Sequence, residues 1–311
     1  MKQGLLAIGL TTLDILGRPI DAIPADGAGR LIDEIELVPA GTAGGTALVA
    51  ARLGLETKLV SALGADRIGD LVRAAFTEEG VDTALVPSLP GARTSATILP
   101  IDSAGRRPTF HARGASALVE LNDAVAEAAL RARFIHWAAI GAPRIGGEKA
   151  AAFLATARAK GAVVTCDLIS PRRGAMEELT QILPHVDYFM PSEAEVRILT
   201  GLEDDLAAAR RFRDLGAGTC IVKRGARGWL MVDEAGVTEG SAHRIEVVDT
   251  TSCGDAFCAG FIAALDRGWP PDQACRFGSA VAAVVAQELG TLGRLDSFAQ
   301  AEQAMMTLPL R

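Results

Sequence analysis

The sequence predicts an α/β fold, a central and mostly parallel sheet flanked by helices. Three observations predict it. Short Val/Ile/Leu-rich runs alternate with Ala-rich stretches of helical length along most of the 311 residues. Glycine follows five of the helical stretches, at positions 54, 80, 161, 201 and 216, where a left-handed C-cap costs glycine least. The composition is 49% hydrophobic and only 5% aromatic, which suits Ala-rich helices on thin strands and supplies a large core. Alternation of this kind puts parallel strands in the middle and helices on both faces.

Leu5–Leu10 is the first predicted strand. A helix over Thr46–Leu53, a strand over Lys58–Leu63 and a helix over Arg67–Glu79 follow, with Asp66 as the N-cap of the last. Phe134–Ala138, Glu148–Lys160 and Val163–Cys166 read as strand, helix and strand. Tyr188–Met190 leads into a helix over Glu193–Leu199, and Asp205–Leu215 into a strand over Thr219–Lys223. Trp229–Val232 can return from that strand as a tight hairpin. Ile245–Val248 reads as an apolar strand ending at Asp249, and helices near Gly254–Arg267 and Pro271–Glu288 close the series.

Two segments break the alternation: about 16–38 holds short extended pieces rich in Gly, Pro and acids, and 93–113 reads as a β-hairpin turning at Asp102-Ser103-Ala104-Gly105. Together they suit a small β-sheet lid over one edge of a single domain spanning 1–311, or surface decoration.

The net charge is −7 and no Lys/Arg block stands out, so neither nucleic acid nor an anionic membrane is the expected partner. A phosphate-bearing ligand needs a local site. The five cysteines are odd in number and form no Cys-x-x-Cys pair, and the four histidines make no zinc-like cluster with them. Cys166 and Cys220 lie in apolar runs and read as core. No signal-peptide pattern or apolar run of about 18 residues is present. The expected location is cytoplasmic.

The most informative stretch is Asp249-Thr250-Thr251-Ser252-Cys253-Gly254-Asp255. It puts Asp255 in the first turn of a helix, beside unpaired backbone N–H groups that suit phosphate oxygens. A carboxylate there can take a proton from a hydroxyl while the amides hold the phosphoryl group under attack. Asp255 as a plain helix cap is the competing reading. Pro39-Ala40-Gly41-Thr42-Ala43-Gly44-Gly45-Thr46-Ala47 opens a helix with bare backbone that a ligand can approach, and is neither a Walker A loop nor a dinucleotide fingerprint. Asp14 follows the first strand, as a polyol ligand or a solvated loop acid. Lys223-Arg224-Gly225-Ala226-Arg227-Gly228 offers amides and cations to a triphosphate, or simply turns a hairpin. Glu193 and Glu195 are ordinary first-turn acids, with a role near Mg²⁺ open to Glu195.

Taken in order, these segments resemble the PfkB family of carbohydrate kinases, also called the ribokinase family. Asp249 to Phe257 is similar to its C-terminal signature Asp-Thr-x-Gly-Ala-Gly-Asp-x-Phe, and Ala40-Gly41 through Gly54 to its N-terminal Gly-Gly signature. Gly64-x-Asp66-x-x-Gly69, Ser192-x-x-Glu195 and Lys223-x-Gly225-x-x-Gly228 fall between them in the family's order. The resemblance spans nearly the whole chain and implies a ribokinase-like fold. It implies Asp255 as the base, and the amides of Ser252, Cys253 and Gly254 as the anion hole. It further implies Asp14, Thr12, Gly41, Thr42 and Gly45 at the sugar. Lys223, Gly225, Gly228, Thr250 and Ser279 would lie at the nucleotide, with Glu195 near Mg²⁺ and Asp249 near a monovalent cation such as K⁺. The implied reaction is ATP-dependent phosphorylation of a hydroxyl, of hydroxymethyl type, on a small sugar or sugar acid. The lid implies a homodimer. A nucleoside kinase of the same fold and a non-catalytic sugar-binding regulator are the alternatives. Three residues depart from the pattern: Gly45 and Ser192 stand where the family has Asn, and Ser252-Cys253 where it has Gly-Ala.

Overall fold

The computed structural model describes residues 2–25 and 27–311. The chain begins with β1 (Gln3–Gly9), β2 (Thr12–Arg18), β3 (Glu34–Ala40) and α1 (Thr42–Arg52). There follow β4 (Thr57–Val60), β5 (Leu63–Gly64), α2 (Arg67–Glu78), β6 (Ser88–Leu89), β7 (Ala96–Pro100) and β8 (Phe110–Ala112). Next come α3 (Asp123–Arg131), β9 (Ala132–Ala138), α4 (Glu148–Ala159), β10 (Val163–Cys166), α5 (Ala175–Ile182), β11 (Tyr188–Phe189) and α6 (Glu193–Thr200). The last elements are α7 (Asp205–Asp214), β12 (Thr219–Lys223), β13 (Trp229–Val232), β14 (Val237–Gly240), α8 (Cys253–Asp266), α9 (Pro271–Val285) and α10 (Phe298–Thr307).

Eight strands form the main sheet in the order β14-β13-β12-β11-β10-β9-β1-β4. Pairing is parallel from β12 to β4, and the β13–β14 edge is antiparallel. Away from the exposed edge strand β14 both faces are buried, which is why those strands read as continuous apolar runs. Successive side chains of β9 alternate between faces. Phe134 and Ala138 join a core with α1, α8 and α9, while Ile135 and Trp137 join one with α4 and α7. His136 faces the α1 side, which becomes important below. Cys166 and Cys220 are buried, as expected.

A second, mixed sheet has the order β3-β2-β7-β8. Its register sets Asp14 beside Thr97 and Thr97 beside His111 on one face, and Leu37, Ile15, Ile98 and Phe110 in a row on the other. The first face is turned inward. There Leu16, Leu99, Ile101 and Leu289 form a small core with Val38 and Val248, and Thr291 Oγ1 donates to the Pro39 carbonyl at 2.7 Å. This sheet is the expected small β-structure, but it begins at Thr12 rather than residue 16, and it uses 12–18 and 34–40 as a hairpin.

Several boundaries differ from the sequence reading for physical reasons. Ile245–Val248 is not a strand: no strand lies alongside it, Val247 is 50% exposed, and only Val248 N–H reaches a carbonyl, that of Ala286 at 2.8 Å. Helix α1 starts at Thr42 instead of Thr46, so Gly44 and Gly45 lie within it and not in a loop. Asp14 is not in a loop but inside β2, and is buried. Lys58–Leu63 splits between two sheets, as β4 and β5. Helices α3, α5 and α10, and strands β2 and β3 as partners, are additions to that reading.

Candidate active site

The turn before α8 is held open by its own residues. Asp249 Oδ1 accepts the Thr251 N–H at 2.8 Å and the Thr251 hydroxyl at 2.7 Å, and Oδ2 accepts the Gly290 N–H at 3.0 Å. Ser252 then takes a left-handed conformation, φ 55°, a cost a non-glycine residue carries only where its surroundings impose it. The backbone N–H groups of Ser252, Gly254 and Asp255 have no hydrogen-bond partner among the described residues, and that of Cys253 has only the Thr250 carbonyl at 3.4 Å. The result is a cradle of amides at the positive end of a helix. The Cys253 thiol turns away from it, toward the carbonyls of Asp249 at 3.9 Å and Ala282 at 3.8 Å. Burial, then Asp249, pushes that thiol up to about 12, so it remains neutral and adds no charge to the cradle.

Asp255 sits in the first turn of α8 and faces α1. A Cβ added at Gly45 would lie 2.5 Å from Asp255 Oδ2 and 3.1 Å from its Cβ and Cγ. Glycine at 45 therefore makes room for the carboxylate. Behind it, Thr46 Oγ1 lies 3.4 Å from His136 Nε2, and His136 Nδ1 lies 2.9 Å from Thr165 Oγ1. Burial lowers His136 to about 4, so this imidazole is a neutral, satisfied core group. Asp255 is held well above the ordinary carboxylate range by burial and by the charge of Asp167, against the pull of Lys223.

Lys223, at the end of β12, points under the α8 start. Its Nζ is 2.6 Å from Asp167 Oδ2, 3.7 Å from Cys258 Sγ, and 3.2 Å from where a Cβ at Gly254 would be. Burial opposes its charge, but Asp167, Cys258 and Glu195 together hold it above its ordinary value. Glu195 is buried at the start of α6, where Oε2 accepts the Ser192 N–H at 2.7 Å in a capping box with Ser192. Its carboxyl is raised by burial and by Asp167. Lys223 thus sits among the carboxylates of Asp167, Glu195 and Asp255.

On the second sheet, Asp14 is buried and its Oδ1 has no hydrogen-bond partner. Burial raises it to about 6, against a Thr97 hydrogen bond and the charge of Arg107. The Thr12 and Thr97 hydroxyls lie 3.3 Å apart, and Thr97 Oγ1 is 3.1 Å from His111 Nδ1. A buried carboxylate with one oxygen unpaired, beside hydroxyls, is a ready acceptor for a polyol. The charge of Asp14 adds a small upward push to Asp255, so the two carboxyl groups lie within electrostatic reach of one another. Gly41, φ 93°, packs against the Leu10 carbonyl, and Thr42 Oγ1 donates to the Ala138 carbonyl at 3.0 Å.

The remaining residues are less central. Gly225 and Gly228 turn the β12–β13 hairpin. Their neighbours Arg224 and Arg227 are committed to Asp205, each at 2.9 Å. Thr250 is exposed at the lip of the turn, and Ser279 lies on α9. Asp167, Thr97, Cys258 and Arg107 escaped the sequence reading. Asp167 had a signal, since it follows the carboxyl end of a parallel strand as ligand-site residues do. The others are visible only in three dimensions.

The profile of the pfkB family carbohydrate kinases matches residues 2–297. A ribokinase from Haemophilus influenzae is 29% identical over 250 residues, 78% of this chain and 79% of that protein. A nucleoside kinase from Methanothermobacter thermautotrophicus is 28% identical over 297 residues, 93% of this chain and 91% of its own. The structure of Arabidopsis thaliana ribokinase complexed with ribose and ATP superposes with a TM-score of 0.83 at 23% identity, covering 98% of this chain and 99% of that one. The architecture is the ribokinase-like one, and the chain belongs to the pfkB family of carbohydrate kinases.

Proposed function

We propose that this kinase phosphorylates a hydroxymethyl group of a small sugar or sugar acid at the expense of ATP, with Asp255 as the base. The observation that carries the reading is the apposition of the Asp255 carboxylate, the Gly45 backbone and the unpaired amides of the α8 turn. The acceptor is held by Asp14 Oδ1 with the Thr12 and Thr97 hydroxyls. Its reacting O–H faces Asp255, which takes the proton as the oxygen bonds to the γ-phosphorus and the bond to ADP breaks. The amides of Ser252, Cys253 and Gly254 hold the charge that collects on the phosphoryl oxygens. A base contributes about 10²–10⁴-fold and each preorganised donor about 10²–10³-fold. Positioning supplies much of the rest, because phosphoryl transfer needs little covalent help.

Nucleotide binding falls to the edge bordered by Thr250, Gly225, Gly228 and Ser279, with Lys223 beneath the cradle. Among the described residues no three His, Cys, Asp or Glu side chains are grouped to hold a metal. This fits Mg²⁺ carried mainly by phosphate oxygens and water, with one or two carboxylates at most. Glu195 is the carboxylate we assign to that role, and Mg²⁺ there would neutralise phosphate charge. A K⁺ near Asp249 would act by ordering the turn, whose carboxylate is already engaged there. The second sheet is the lid, which excludes water and suppresses idle ATP hydrolysis. Its outward row is apolar, with Ile35 65%, Leu37 51%, Ile98 53% and Phe110 54% exposed. We assign this row to a homodimer, in which each lid covers the other. Ile98→Asp should convert a dimer to a monomer in sedimentation while leaving the melting of the main domain intact. A wild-type protein that sediments as a monomer at micromolar concentration contradicts the assignment.

The function is tested by ADP release over a panel of sugars, sugar acids and nucleosides. Turnover confined to sugars or sugar acids supports the proposal. Turnover confined to nucleosides favours the nucleoside-kinase alternative, and ligand binding without turnover favours a regulator. The acceptor should also bind less tightly as pH falls through about 6, because Asp14 can accept hydroxyl hydrogen bonds on both oxygens only when ionised. Calorimetric titration of the acceptor between pH 5 and 8 measures this. A flat profile in the wild type, matching that of Asp14→Asn, contradicts it.

A further inference from the structure

Asp167 lies just past the carboxyl end of β10 and is buried. Its Oδ1 accepts the Leu168 N–H at 2.8 Å, and its own N–H donates to the Trp137 carbonyl at 3.1 Å. Its Oδ2 accepts Lys223 Nζ at 2.6 Å and the Cys258 thiol at 3.4 Å. One oxygen is thus fixed by backbone, and the other ties the end of β12 to α8. Asp167 takes no direct part in the transfer step. Lys223 sits in an electrostatically costly place, a largely buried cation at the positive end of a helix. It abuts Gly254, the residue next to Asp255, and its charge pulls on Asp255. Yet among the described residues Asp255 forms no ion pair, and Lys223 forms one with Asp167 alone. One ammonium is within electrostatic reach of two carboxylates, and it is committed to the one that does no chemistry.

We propose that Asp167 is a positioning residue that keeps Lys223 off Asp255, so that the base stays free to take the acceptor proton. The proposal rests on the kinase reading above. In a buried pocket an ammonium pairs with whichever carboxylate is left uncompensated. Paired to Asp255, Lys223 would compete with the acceptor hydroxyl for the carboxylate oxygens. It would also stabilise the ionised carboxylate, which makes a weaker base. Asp167 prevents both by engaging the ammonium first, and Glu195 on α6 adds to the attraction. The other groups around the base supply no rival cation. Asp14 on β2 is an acid, Cys253 and Cys258 on α8 are thiols kept neutral by burial, and α1 brings only Gly45 and Thr46. His136 on β9 is neutral, and Arg107 on the lid hairpin is held by Thr250 at 2.8 Å.

The test measures kcat and its pH dependence for Asp167→Asn, Lys223→Met and the double variant, using the best acceptor of the panel. Asn keeps the size of Asp167 and an acceptor for the Leu168 N–H, but releases the ammonium. Asp167→Asn should lower kcat by about 10–10²-fold. The acid limb of its profile should move down by about one pH unit or more, because a paired Asp255 stays ionised to lower pH. The double variant should be about tenfold faster than Asp167→Asn although it carries one more substitution, and its acid limb should return upward. A double variant less than about threefold faster than Asp167→Asn, or an acid limb of Asp167→Asn that stays or moves up, overturns the proposal. If Asp167→Asn does not fold, Lys223→Met against the double variant decides. With no ammonium to hold, the exchange at 167 should change kcat by less than about threefold, and a loss of about tenfold or more overturns the proposal. Those results leave the kinase reading standing. A wild-type protein that releases no ADP with any acceptor overturns both.

Discussion

Asp255→Asn lowers kcat by at least about 10²-fold while ATP binding survives, and at the same time raises the melting temperature. Both effects follow from one placement. Asn occupies the same space beside Gly45 but cannot take the acceptor proton, so the contribution of a general base is lost. The amide cradle is backbone and is untouched. The stability gain has the opposite origin. Burial and the neighbouring Asp167 hold the Asp255 carboxyl well above its ordinary value, so its ionised form is disfavoured in the fold. The stability linked to this group is present at low pH and is lost as pH rises through its folded value. Near pH 7 the neutral Asn removes that cost. A gain of about 1 kcal/mol would appear as roughly 1–2 °C for a chain of this size. It should shrink as the pH is lowered, when wild-type Asp255 becomes protonated. Steady-state ADP release and thermal melts at pH 5 and pH 7.5 check both halves. Near-normal turnover removes Asp255 from the chemistry, and a lower melting point at neutral pH denies the strain at this carboxylate.

Gly45→Ala is the second large effect. A methyl at this position would stand 2.5 Å from Asp255 Oδ2 and 3.1 Å from Cβ and Cγ of the same residue. No side chain tolerates such contacts, so the carboxylate must rotate or α1 and α8 must separate. Rotation is the cheaper response, since it moves one side chain in the first turn of α8 and leaves the packing of two helices in place. A base displaced by about an ångström typically loses about 10²-fold in rate. We expect kcat to fall by about 10–10²-fold, with the acceptor still bound through Asp14 and a melting point near or slightly above that of wild type, because alanine is the better helix former. A Gly45→Ala enzyme with unchanged kcat contradicts the apposition of these two residues.

The sequence was most legible where both faces of a strand are buried. β10 and β12 have the predicted limits, since a short apolar run between helices has few other uses. Gly54, Gly80, Gly161, Gly201 and Gly216 all have positive φ, as expected of C-caps. Asp66 accepts the Gly69 N–H at 2.8 Å as the expected cap. The failures are equally physical. Ile245–Val248 has strand composition but no neighbour to pair with, and pairing is not written locally. The Gly41–Gly45 run looks like a loop because glycine is a poor helix former, yet the close approach of α8 demands glycine inside α1. Asp14 reads as a loop acid because a lone carboxylate in a strand is rare, and only the β7 partner strand reveals the hydroxyls beside it. The ion pair of Lys223 with Asp167 was not legible either, because a residue 56 positions away supplies the counter-charge. Arg107 and Thr250 are 143 residues apart, and nothing local to either announces the contact.

The central claim is that one carboxylate faces an alcohol across the amide cradle of α8. It is tested most directly by the structure of the wild-type protein with its best acceptor and a non-hydrolysable ATP analogue. The account predicts the reacting hydroxyl about 2.6–3.2 Å from an Asp255 oxygen, and the terminal phosphate on the amides of residues 252–254. An acceptor bound with its hydroxyl remote from Asp255, or a terminal phosphate seated away from those amides, would contradict it.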